Sequence, residues 1–272
     1  MPNATMTPEE ATAPIVTIAG GRATIRLNRA RERNRIEPDD LAILHQAFTR
    51  IDQDRDIRVL VLTGTDQTFS SGYHAAAQVE RRVVPRFGLG KIDESSSDEF
   101  ERTVDELAAL RVPTIAALNG SVYGGSTDLA LACDFRIGVE GMRLLMPVAR
   151  LGTAYYPSGI ERYVARLGVA AAKKLFLTAQ PIDSPELLRI GYLDECVPAA
   201  ELMARADALA ATLAGNAPLA LTGLKRAINE IAAGRLDVAA LAHARARCAA
   251  SADHAEALKA WSERRPAVFR GR

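Results

Sequence analysis

Two periods of apolar and polar positions take turns along this chain. Residues 15–27, IVTIAGGRATIRL, alternate on both sides of Gly20-Gly21. A period of two broken by a glycine turn predicts a two-stranded hairpin. After Pro38 the spacing changes, with Leu41, Leu44, Phe48 and Ile51 three or four apart. That predicts a helix laying one face on a core. The runs RVLVLTG (58–64) and TIAALNG (114–120) are short, almost wholly apolar and end at a glycine. Strands covered on both faces read this way. FRIGV (135–139) reads as a further strand. Strand, loop, helix and strand, twice over, predict an α/β fold with functional loops at the strand ends.

Between the two units, residues 78–98 mix charge, Pro, Gly and three serines without either period, so a surface loop or lid is expected there. Beyond Pro181 the pattern is almost wholly helical. Ser184-Pro185-Glu186 reads as an N-cap, a proline at the first helical position and an acid in the first turn, and Ser251 can cap a helix running to about Arg264. The expected organisation is a loose tail at 1–13, an α/β core at 14–198 and a helical region at 199–272.

Composition narrows the function. With 272 residues, 48% hydrophobic and 25% charged, the chain can bury one sizeable core. A net charge of +1 supplies no global attraction to nucleic acid or anionic membrane. Anion binding must then come from a local cluster, and Arg26–Arg35 is one. An RNA-binding reading of that cluster and the basic tail (Arg264, Arg265, Arg270, Arg272) lacks aromatic interleaving. The three cysteines, Cys133, Cys196 and Cys248, form neither a disulfide framework nor a metal-spaced motif, which fits a reducing cytoplasm and no metal. No apolar run reaches the roughly 18 residues of a membrane span.

The chemistry points to backbone amides. Asn119–Asp128, NGSVYGGSTD, sets paired glycines between a buried strand and a helix. Glycine permits close approach, and a helix N-terminus offers unpaired N–H groups to a developing oxyanion. A second small-residue loop, Phe69-Ser70-Ser71-Gly72-Tyr73, follows the other buried strand, so two amides could serve one oxygen. The segments LVLTGTDQTFSSGYH and IAALNGSVYGGSTDLALACDFRIG resemble the paired oxyanion-hole motifs of the crotonase (enoyl-CoA hydratase/isomerase) superfamily. The resemblance continues through LMPVARLG, LGVAAAKKLFLTAQPI, GYLDECVP and AWSERRPAVF, spanning roughly 14–270.

That resemblance implies a crotonase-type (ClpP/crotonase) spiral of ββα units with a helical C-terminal trimerisation region, hence a homotrimer or homohexamer. It implies the N–H groups of Tyr73 and Gly125 as an oxyanion hole, with Ser71, Gly72, His74, Ala75 and Gly124 around it. Substrates would be acyl-CoA thioesters, with coenzyme A part of the substrate and no permanent cofactor. Arg29, Arg31 and Arg33 coincide with the family segment that lines CoA, and arginine's planar fork suits phosphate. Lys225 and Arg226 are further candidates for a CoA phosphate.

Asp128 matches the first of the two glutamates with which the family's hydratases handle water. It is shorter by about one methylene, roughly 1.5 Å. The second glutamate's place, after Pro147, holds Val148, which cannot move a proton. Decarboxylase- or isomerase-like chemistry is therefore expected over simple hydration. The alternatives are a 2-enoyl-CoA hydratase and an inactive CoA-binding scaffold. Locally, the glycine segment, Pro147-Val148 and Leu151–Tyr155 resemble the methylmalonyl-CoA decarboxylases of the superfamily, which gives Tyr155 a catalytic role in holding a carboxylate or passing a proton. Tyr156 is its competitor. His74 is a further candidate base, with a structural hydrogen-bonding role as the alternative.

Overall fold

In the computed structural model, residues 12–74 and 95–272 are described. Ala75, one of the expected substrate-binding residues, lies outside them, as does most of the expected 78–98 lid. The part of that segment within them differs from expectation, because helix α2, Ser95–Ala109, begins among the three serines. The dense run of acids and serines that reads as loop is the start of a helix whose apolar positions (Phe100, Val104, Leu107) come only later and are buried.

The chain winds as successive turns, most with two strands and a helix. The hairpin β1 (Ile15–Ala19) and β2 (Arg22–Leu27) leads to α1 (Pro38–Gln53). Then follow β3 (Val59–Gly64) and β4 (Thr68–Ser70) with α2, and β5 (Thr114–Leu118) and β6 (Ser121–Tyr123) with α3 (Gly125–Ala132). The next turn is β7 (Phe135–Val139), β8 (Arg143–Leu145) and α4 (Pro157–Thr178). From β3 onward the first strand of each of these turns enters one sheet and the second strand enters another, while β1 and β2 share the first sheet. With β9 (Ile182–Asp183) and β10 (Glu195–Val197), the large sheet has the order β1-β2-β3-β5-β7-β10, and the small one β4-β6-β8-β9. Pairing from β2 across to β10 is parallel. All residues of β3 and β5 are buried, as their unbroken apolar runs require.

The stretch beyond Pro181 is less purely helical than its pattern implies. Short strands β9 (Ile182–Asp183) and β10 (Glu195–Val197) close the two sheets around α5 (Ser184–Arg189). The cap of α5 is Asp183, whose carboxylate accepts from the Glu186 N–H, one residue before the expected Ser184. Both are good capping types, and the two-residue strand decides between them. Ser251 caps its helix as expected, accepting from the His254 N–H at 3.1 Å. The remaining helices are α6 (Leu202–Ala214), lying on β3, β5 and β7, then α7 (Pro218–Ala232), α8 (Val238–Ala249) and α9 (Ala252–Glu263). No helix among the described residues is long and apolar enough to cross a membrane.

Candidate active site

The ends of β3 and β5 are pinned together by one side chain. Asn119 accepts from the Gly64 N–H at 2.9 Å and donates to the Asp66 carbonyl at 2.7 Å. Buried Asn34 donates to the carbonyls of Thr65 and Thr68, both at 2.7 Å. These amides satisfy loop carbonyls that no strand could pair, which fixes the course of the chain toward Gly72. Ser126, in the first turn of α3, accepts from the Tyr123 N–H at 3.1 Å, and its hydroxyl lies 3.0 Å from the Ser70 carbonyl. The Gly72 loop and the start of α3 are thereby held side by side.

Gly72 has φ +104°, and a Cβ there would lie 2.6 Å from the Tyr123 carbonyl and 3.6 Å from the Gly125 nitrogen. Only glycine allows that approach. A Cβ on Gly125 would meet the Phe100 ring at 2.9 Å and the Tyr73 Cβ at 3.1 Å. Gly125 is the first residue of α3, so its amide has no acceptor within the helix. Phe100, which the sequence reading missed, stacks on Tyr73 with ring centroids 4.6 Å apart and stands edge-on to Tyr156. The two glycine loops expected to converge are adjacent, under an aromatic lid from α2.

Asp128 follows three residues after Gly125 and is fully buried. Its Oδ2 accepts from the Tyr156 hydroxyl at 2.5 Å and from Arg162 Nη1 at 2.6 Å, while Oδ1 is buried with no hydrogen-bond partner among the described residues. Burial pushes the Asp128 carboxyl above its ordinary pKa, against the opposing pull of Arg162 and of the Tyr156 hydroxyl. The Tyr155 hydroxyl donates to that of Tyr156 at 3.1 Å, and the two rings stack 4.2 Å apart. Burial, then the Asp128 charge, raises both phenols, so each remains a neutral proton donor at ordinary pH. Of the two competing tyrosines, Tyr156 touches the Asp128 carboxylate and Tyr155 stands behind it. Arg162 was also missed. The signal was a cation beside Tyr163 on the inward face of a helix whose Gly159 and Tyr163 are buried.

The remaining candidates separate by partner. Arg29 is not placed to bind phosphate: its fork is held by Asp40, at 2.5 and 3.2 Å, and by the Arg35 carbonyl. Arg31 and Arg33 are exposed. Ser71 ties its loop to this turn, its N–H donating to the Arg33 carbonyl and its hydroxyl to that of Glu32. His74 Nδ1 lies 3.0 Å from Glu37 Oε2, the structural alternative offered above, beside the bridge between Ile36 and Tyr73. Val148 is partly buried against the core in the turn after Pro147. Lys225, 9% exposed, pairs with Asp134 at 2.8 Å, and Arg226, 60% exposed, pairs through Nε with Glu230 at 2.6 Å. Cys133 is buried, its thiol pushed up to about 12 chiefly by burial, which makes it core and no nucleophile. No group of His, Cys, Asp or Glu that could hold a metal occurs among the described residues.

The architecture is the crotonase-type ββα spiral. The family model described as enoyl-CoA hydratase/isomerase matches residues 17–272. The chain belongs to the enoyl-CoA hydratase/isomerase family. It is 32% identical over 254 residues to the putative enoyl-CoA hydratase/isomerase YngF of Bacillus subtilis, covering 92% of this chain and 94% of that one. It is 30% identical to a short-chain-enoyl-CoA hydratase of Clostridium acetobutylicum, covering 90% and 93%. A crystal structure of an enoyl-CoA hydratase from Bacillus anthracis superposes with a TM-score of 0.83 at 28% identity, covering 95% and 99%.

Proposed function

We propose that this protein processes acyl-CoA thioesters by stabilising a thioester enolate on the backbone N–H groups of Tyr73 and Gly125. Asp128 and Tyr156 carry protons, and Tyr155 backs Tyr156. Two amides aimed at one carbonyl oxygen accept the charge that develops when a bond at Cα breaks, and such donors are worth about 10²- to 10³-fold in rate each. Gly72 and Gly125 allow the loops to approach, Gly124 turns the chain into α3 at φ +52°, and the ring of Phe100 keeps water from the oxygen. Exposed Arg31 and Arg33 are the cations proposed for the CoA phosphates, with Ser71 and His74 shaping the loop beneath.

The observation that carries the choice of reaction is the buried Asp128 carboxyl with a tyrosine on it. Hydration by two carboxylates needs a second acid, and Val148 stands in its place. Decarboxylation or double-bond migration needs one proton carrier at Cα, which Asp128 with Tyr156 supplies. A hydratase is the second reading, favoured by the names of the curated relatives and by the open Oδ1 of Asp128, which could hold a water.

A panel of thioesters separates them. Methylmalonyl-CoA with CO₂ detection and a 3-enoyl-CoA followed for isomerisation should show turnover, and crotonyl-CoA little loss of its conjugated absorbance. Rapid crotonyl-CoA hydration that Val148→Glu barely changes would instead establish the hydratase. CoA esters that bind without any turnover would make the protein a scaffold.

We also propose a homotrimer or homohexamer. Leu224, Ile228 and Ile231 form an exposed apolar stripe on α7, and Trp261 is 86% exposed. Apolar surface of this kind ordinarily meets a partner. Light scattering should give three or six times the chain mass, and a monomer would refute it.

A further inference from the structure

Resting on the reading of Asp128 as the proton carrier, we propose that Arg162 is its positioning residue: it holds the carboxylate by Oδ2 and leaves Oδ1 as the open proton acceptor.

Arg162 is 9% exposed, in the second turn of α4. Its two terminal nitrogens serve different acids. Nη1 reaches buried Asp128 at 2.6 Å, and Nη2 reaches Asp105 of α2 at 2.5 Å. Asp105 is 45% exposed and lies on the wall of a cavity of about 530 Å³ between α2, α4 and α7. One end of the network is therefore solvated and the other dry. A planar fork held at both ends cannot rotate freely, so it presents a fixed N–H to Oδ2. Tyr156 supplies a second donor to the same atom.

The two carboxylate oxygens become inequivalent. Oδ2 has two donors, while Oδ1 has none among the described residues, in a place where an unmet acceptor is costly. A proton taken from substrate or water then goes to Oδ1. Arg162 also sets how readily that happens. The charged and titratable groups around Asp128 are Tyr155, Tyr156, Arg162 and Tyr163 on α4 and its lead-in, Asp105 on α2, and Tyr192 after α5. Arg162 is the cation among them, opposing the burial that favours the neutral acid. Burial would lower the Arg162 pKa, but the Asp128 charge and hydrogen bond hold it above the ordinary value, so Arg162 stays charged.

The test compares Arg162→Gln, Arg162→Lys and a control, Arg166→Gln. Arg166 lies one turn further along α4, is also largely buried and donates to the Cys133 carbonyl without touching Asp128. With any thioester the panel turns over, the acid limb of the kcat profile should move up by about 1–3 pH units in Arg162→Gln. It should stay near wild type in Arg162→Lys and Arg166→Gln. Where no thioester turns over, ¹³C-aspartate NMR of the full-length protein reads the same shift. The Asp128 signal is assigned by its loss in Asp128→Asn, so the inference stands or falls apart from the proposed reaction.

Should Arg162→Gln fold poorly, the Tm of Arg162→Gln/Asp128→Asn decides. Removing the stranded carboxylate should recover most of the lost Tm. An unmoved titration in Arg162→Gln, an equal shift in Arg166→Gln, or no recovery in the double variant would overturn the proposal.

Discussion

Two arginine–aspartate pairs flank the centre of this molecule, and they differ in what is left over. Arg29 holds Asp40 with both arms of its fork, and the Glu37 N–H also donates to Asp40 Oδ2 at 2.8 Å. Both oxygens are satisfied, and Asp40 also closes the first turn of α1 in a capping box with Glu37. Arg162 holds Asp128 by one oxygen, and the other has no partner among the described residues and sits in a dry setting. A saturated pair stabilises a fold and does little else. An unsaturated one carries a raised pKa and an acceptor waiting for a proton. The same two residue types, each next to a glycine-lined loop, thus separate into structure and chemistry by counting hydrogen bonds.

Substitutions can break that contrast, beginning with the largest effect. Asp128→Asn should lower turnover of the thioester the panel identifies by about 10²- to 10⁴-fold, measured as kcat. A change under threefold would return Asp128 to a structural role. Arg29→Ala should cost about 1.5–3 kcal/mol of stability in urea denaturation, because it strands a buried carboxylate. CoA-ester affinity should hardly change, and a tenfold loss of affinity at unchanged stability would restore Arg29 to the phosphate site.

Tyr156→Phe should slow turnover by about tenfold, the worth of one charge-assisted hydrogen bond. Tyr155→Phe, one step further from Asp128, should do less, and the opposite order would make Tyr155 the tyrosine that acts on substrate.

The smallest effect concerns Glu37, next to the saturated pair. Burial would raise its pKa, but hydrogen bonds with His74 and Arg35 hold it below the ordinary value. Its contribution is thus present above the unfolded-state value of about 4.3 and lost as pH falls through the lower folded one. Glu37→Gln should cost less than about 1 kcal/mol at pH 7 and nearly nothing once wild-type Glu37 is itself protonated, as read from Tm at the two pH values. A cost that persists in acid would show that the carboxylate charge is not what holds the Tyr73 loop.

Much of the scaffold was legible because burial on two faces leaves a plain trace. β3 and β5 are unbroken apolar runs, α1 shows its stripe, and the glycine loops stand at the ends of the strands they follow. The start of α2 was not, since its first residues are acids and serines whose pattern belongs equally to a loop. In the site, Asp128 was found by the family resemblance, as the match to the first hydratase glutamate. Arg162 and Phe100 were not, because nothing local tells that a helix 34 residues on, or one preceding β5, will fold over the same carboxylate and glycine. Arg29 misled for the converse reason: an arginine cluster shows its charge in sequence but not the aspartate, 11 residues away, that consumes it.

Incubation of the protein in D₂O with the thioester panel, followed by ¹H NMR of the acyl chain, tests the enolate account most directly. Every reaction proposed here passes through charge at Cα, so solvent deuterium should appear at that carbon with at least one thioester and be lost in Asp128→Asn. Acyl-CoA esters that bind the protein, yet gain no deuterium at Cα with any member of the panel, would contradict it.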